Sequence, residues 1–174
     1  MAYAVVNLDR MSGTEDSSQL LSVKFYDSND DEAAIQNANI VKVGALLTRT
    51  VGLDTITERE VRKATTPAGS ETLKELALIA NPEVIYDETV RHPLEDYINE
   101  AGQVIRAYRF HQNDGFSATA EAFDGAPAKG KYVIVNTNKT TMKISATATG
   151  TVIGTIDDVY TLGGNTYYYV QVAM

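Results

Sequence analysis

The chain has 174 residues, no Cys, no Trp and a net charge of −8. Its length suits one ordinary domain with a sizeable core, and its 44% apolar and 22% charged content is that of a globular chain. The missing cysteines exclude a disulfide framework, thiolate metal sites and a cysteine nucleophile. The acidic balance repels phosphate and argues against a direct nucleic-acid partner.

The acid is concentrated in residues 1–100, where Asp and Glu outnumber Lys and Arg two to one; residues 101–174 are close to neutral and rich in Thr and Tyr. Met1–Arg10 has neither a basic start nor a long apolar run, so no secretory signal is expected. No stretch approaches the roughly 18 apolar residues of a membrane span. A soluble protein made in a cytoplasm is expected. Residues 3–8 read as extended, and Met11–Gln19 as a polar loop. Leu20–Tyr26 is a strand, with Leu21, Val23 and Phe25 alternating with Ser22 and Lys24. Asp27–Glu32 ends it with turn formers and charge. Two short apolar strands have little core of their own and need a neighbour. Residues 1–35 are therefore read as an extended N-terminal arm, and residues 36–174 as the domain.

Further strands are expected at Ile40–Val43, Glu60–Lys63, Leu76–Ala80 and Glu83–Tyr86. One helix is expected over 93–101. Pro93 suits a first helical position, Leu94, Tyr97, Ile98 and Ala101 form an apolar stripe, and Gly102 can cap the end. After it the chain reads as strands and turns. The strands are Val104–Phe110, Phe116–Phe123, Tyr132–Val135, Met142–Thr149, Thr151–Ile156, Val159–Thr161 and Tyr167–Val172, the last two joined by a hairpin loop at Leu162–Asn165. The chain's last strand is expected inside its sheet. The fold class is mainly β: a small antiparallel barrel or sandwich with one short helix.

No motif for catalysis emerges. No Gly-Lys-Ser/Thr phosphate loop and no Gly-x-Ser-x-Gly elbow is present. His92 and His111 are 19 residues apart with no third ligand close by in sequence, and read as surface or capping residues. Asp27–Glu32 lacks the glycine and distal Glu of a calcium loop and reads as a solvated turn. Tyr167–Tyr169 sends two rings to one face of a strand and one to the other; one face suits core packing, the other an interface, with carbohydrate stacking the rarer alternative. No catalytic residue, metal or cofactor is expected.

Several strings carry a resemblance: Ala2–Gly13, Glu58–Val61 through Thr66-Pro67-Ala68, Asn81–Glu88, Leu94–Gly102, Gly115–Thr119 and Ala122–Gly125. In these the chain resembles head-associated proteins of tailed bacteriophages that decorate or cement the capsid. The likeness spans nearly the whole chain but brings no functional residues across. It implies a structural virion protein on the capsid exterior, with the major capsid protein and neighbouring copies of itself, such as a homotrimer, as partners. The acidic charge and the lack of an apolar span lead one to expect no direct contact with nucleic acid or membrane. The arm residues Tyr3, Val5, Val6, Leu8, Leu21, Val23 and Phe25 are the expected partner contacts. The alternative is a virion adhesin whose β-domain binds a host glycan or receptor.

Overall fold

The structure is a computed structural model and describes residues 2–14, 19–83 and 94–173. Its strands are β1 (Leu20–Tyr26), β2 (Ile40–Val51), β3 (Asp54–Thr65), β4 (Leu76–Ile79), β5 (Ile105–Arg109), β6 (Gly115–Ala118), β7 (Phe123–Asp124), β8 (Tyr132–Ile134), β9 (Met142–Ser145), β10 (Val152–Leu162) and β11 (Asn165–Val172). The first five close a barrel in the order β1-β3-β2-β4-β5, with β5 returning to β1. The other six form a sheet in the order β6-β11-β10-β8-β9-β7. The fold is mainly β, as composition and turn spacing lead one to expect. Both sheets are mixed, because β1 runs parallel to β3 and β7 parallel to β9.

Two cores follow from the alternation of side chains along the strands. Inside the barrel sit Val23, Phe25, Val41, Ala64, Ala77, Ile79, Ile105 and Ala107. The alanines leave room for the larger side chains in a narrow lumen. Between barrel and sheet lies the larger core, with Ile40, Leu76, Leu78 and Tyr108 on one side and Phe116, Val133, Met142, Ile153, Val170 and Val172 on the other. Strand β4 serves both: Leu76 and Leu78 face the sheet, Ala77 and Ile79 the lumen, and all four are buried. A continuous apolar run such as Leu76–Ile79 is the sequence mark of a strand covered on both faces.

The N-terminal 35 residues are not a separate arm. β1 pairs with β3 on one side and β5 on the other, so the barrel cannot close without it. Ala4, Val5 and Val6 are buried, and the segment is held along β6: the Asn7 N–H donates to the Ser117 carbonyl (2.9 Å) and the Thr119 N–H to the Val5 carbonyl (3.0 Å). Burying Val5 and Val6 is worth about 1.5–3 kcal/mol each, which favours this docked state over a free one.

The helix expected over 93–101 is, in the described part, a single 3-10 turn at Leu94–Asp96; Pro93 lies outside the described residues. The chain cannot continue helically because Asn99 is already paired. Its N–H donates to the Ile35 carbonyl (3.1 Å) and its carbonyl accepts from the Ile35 N–H (3.0 Å). The expected stripe does not face the core either, since Leu94 and Ala101 are exposed. Thr151–Ile156 and Val159–Thr161, expected as two strands, are one strand, β10, carried past Asp157-Asp158 by a bulge. The strand expected at Glu83–Tyr86 falls mainly outside the described residues.

Two polar assemblies lock the connections. Asn37, Asn81, Tyr97 and Asn99 form a ring beside the barrel. The Asn37 amide donates to the Asn81 carbonyl (2.9 Å), and its Oδ1 accepts from the Asn81 N–H (3.0 Å) and from Asn99 Nδ2 (3.1 Å). Asn81 Nδ2 donates to Tyr97 Oη (2.9 Å), which donates to Asn99 Oδ1 (3.3 Å). The second assembly is Glu71, a buried carboxylate that accepts from the Ala68 (3.0 Å) and Gly69 (2.8 Å) N–H groups and pairs with Lys42 on β2 (3.4 Å). Its carbonyl accepts from Thr151 Oγ1 (2.8 Å), next to β10. Glu71 thus ties barrel to sheet.

Candidate partner-binding surface

Strands β2 and β3 are 12 residues each, longer than the barrel needs. β4 pairs with β2 only at Ile40–Lys42, and β1 with β3 only at Val61–Thr65. Among the described residues the two strands pair only with each other between Val43 and Val61, and they leave the barrel as a free ribbon roughly 20 Å long. Two register shifts, at Val43/Leu46 and Leu46/Thr48, mark where it departs. Bulges of this kind bend a strand and turn it away from its sheet.

The outer ribbon is regular. Thr48, Arg49, Thr50 and Val51 pair with Thr57, Ile56, Thr55 and Asp54. The loop is Gly52-Leu53, with Gly52 at φ +65 and Leu53 outside the left-handed region, the pattern of a two-residue turn that needs glycine first. Cross-strand partners share a face, so Thr48, Thr50, Thr55 and Thr57 make one face of hydroxyls. The other face carries Arg49, Val51, Asp54, Ile56 and Glu58, with Arg49 and Glu58 paired at 3.1 Å.

The apolar residues of the strands therefore gather on the face opposite the hydroxyls, beside Arg49, Asp54 and Glu58. Yet Val51 and Ile56 keep 48% and 43% of their surface exposed, and Leu53 at the turn is fully exposed. Two-residue turns favour Gly, Asn or Asp, and the fold gives leucine no reason to stand there. A two-stranded ribbon with no third layer is marginally stable alone, which makes this ribbon and its apolar tip the candidate surface for a partner.

The sequence-expected contacts lie elsewhere. Val5, Val6, Val23 and Phe25 are buried in the chain's own cores, and Leu8 and Leu21 pack against them half-buried. Tyr3 is half-buried, its N–H donating to the Glu95 carbonyl (2.7 Å). None of the seven forms a free apolar face. The ribbon was missed because Thr, Arg and Glu hide its apolar residues. The alternation Thr48/Thr50 and Thr55/Thr57 around Gly52 is the signal that identifies it.

The remaining motifs have local roles. Asp27 Oδ1 accepts from the Asn29 (2.8 Å) and Asp31 (3.1 Å) N–H groups, Asp30 pairs with Lys63, and Glu32 pairs with Lys24 at 2.9 Å. The Lys24 ammonium holds the Glu32 carboxyl below its ordinary value. His111 is exposed with Asp114 at 3.8 Å; His92 lies outside the described residues. Tyr168 packs edge-on against Phe123 in the core, while Tyr167 stacks on Tyr160 on the opposite face. Among the described residues no three His, Asp or Glu side chains gather as a metal site requires, and no helix is long and apolar enough to cross a membrane.

No family model, curated protein or solved structure matches the chain.

Proposed function

We propose that this chain is a structural virion protein that docks on the outer surface of a phage capsid and cements it, with the β2–β3 ribbon as its docking element. The observation that carries the reading is the fully exposed Leu53 at the tip of a ribbon that the barrel does not need. Burying one such side chain in a pocket of a capsid subunit is worth about 1.5–3 kcal/mol. Repeating that contact over many equivalent sites makes a modest single contact effective. The resemblance noted in the sequence supplies the capsid as partner. The charge of −8 supports the outer surface, since packaged DNA repels an acidic protein.

The test is sedimentation of the purified protein with undecorated capsids of the phage that encodes it. The reading expects stoichiometric co-sedimentation and a higher capsid melting temperature. Protein left in the supernatant, with shells equally stable without it, removes the reading.

A further inference from the structure

A second surface lies on the outer face of β10 and β11. The bulge between Ile156 and Asp158 sets Asp157 and Asp158 together opposite Tyr169. These three side chains, with Arg10 and Lys129, line an open cleft of about 480 Å³.

The cleft is held in shape from beneath. Tyr169 lies across Gly115 on the neighbouring strand β6, where a Cβ would run into the phenol; the glycine lets the ring lie over the strand. Arg10 is fixed with its guanidinium 4.4 Å above the Tyr160 ring, and Tyr160 Oη accepts from Asn7 Nδ2 (3.0 Å). Among the described residues neither Arg10 nor Lys129 forms an ion pair with Asp157 or Asp158. Two cations and two carboxylates therefore line one cleft with no direct ion pair between them.

That arrangement selects the chemistry of its ligand. An anion meets two aspartates, a cation meets an arginine and a lysine, and an apolar group leaves four charges without partners. A neutral polyol suits every group at once, because each hydroxyl both donates and accepts. Its donors reach Asp157 and Asp158, its acceptors reach Arg10 and Lys129, and the negatively polarised face of Tyr169 receives C–H groups. We propose that this cleft binds a neutral sugar residue, with one C–H face on Tyr169 and its hydroxyls bridging the aspartates and the two cations. The site is separate from the ribbon, so this inference stands or falls independently of capsid docking.

The experiment is saturation-transfer NMR on the full chain. The probes are a panel of methyl glycosides of neutral hexoses and N-acetylhexosamines at millimolar concentration, with sialic acid and glucosamine as charged controls. We expect transfer to at least one neutral member and none to the controls. Asp157→Asn with Asp158→Asn should weaken binding about tenfold or more, by removing charged hydrogen bonds from exposed positions without disturbing the fold. Gly115→Ala should also weaken it by displacing the Tyr169 ring; Gly115 is outside the left-handed region, so its backbone accepts alanine. Leu53→Asp should leave it unchanged. Silence across the neutral panel, transfer to the charged controls alone, or binding that survives the double Asp→Asn change overturns the proposal.

Discussion

Strands β2 and β3 behave differently at their two ends. At the barrel end Val41 and Ala64 are wholly buried, and Lys42, Ala64 and Thr65 pair with a strand on each side. At the free end Val51, Leu53 and Ile56 are exposed and, among the described residues, the strands pair only with each other. The same two segments thus supply the wall of a core and a probe that reaches past it. The difference lies in what covers them: the barrel end is completed by this chain, and under the proposed function the free end is covered by a partner. Substitutions at the two ends should separate stability from binding.

The largest effect is expected in the core shared by barrel and sheet. Leu78→Ala, at a site with no room to collapse, should cost about 3 kcal/mol and lower the thermal midpoint by roughly 10 °C in a calorimetric scan. Next is Asn37→Ala, which strips the Asn81 backbone groups and the Asn99 amide of a partner inside a buried ring. A loss of about 2 kcal/mol or more should appear in urea unfolding.

Glu71→Gln should cost about 2 kcal/mol, because it replaces a carboxylate held by two backbone N–H groups and Lys42. Burial pushes the Glu71 carboxyl up, but those partners outweigh burial and leave it below its ordinary value. The stabilisation is therefore complete above that ordinary value and fades as the pH falls through the lowered native one. Wild type should lose stability with acid in that window, and Glu71→Gln should lose less. The smallest effect on stability belongs to the ribbon. Leu53→Asp and Arg49→Ala should each leave the folding free energy within about 0.5 kcal/mol, since neither side chain is covered.

The same contrast explains what could be read from the sequence. The barrel end and the sheet were legible where apolar alternation is clean, as in Leu20–Tyr26, where an apolar run is continuous, as in Leu76–Ile79, and where Gly163-Gly164 marks a hairpin. The segment 93–101 misled because a helical spacing of Leu94, Tyr97 and Ile98 says nothing of Ile35, whose backbone pairs with Asn99 from 64 residues away. The arm was misplaced for a similar reason. Two short apolar strands need a neighbour, and the sequence does not show that β3 and β5 of the same chain provide it. The ribbon escaped notice because threonines and charged residues interrupt its apolar residues, so no strict alternation marks it. It is visible only in the pairing of β2 with β3 and in the lack of a third strand beside it among the described residues.

The most direct measurement compares wild type and Leu53→Asp in co-sedimentation with undecorated capsids, with the thermal midpoint of each protein recorded alongside. The account expects wild type in the pellet and the variant in the supernatant, at equal midpoints. A variant that folds normally and sediments with the capsid as wild type does would contradict the ribbon as the docking element.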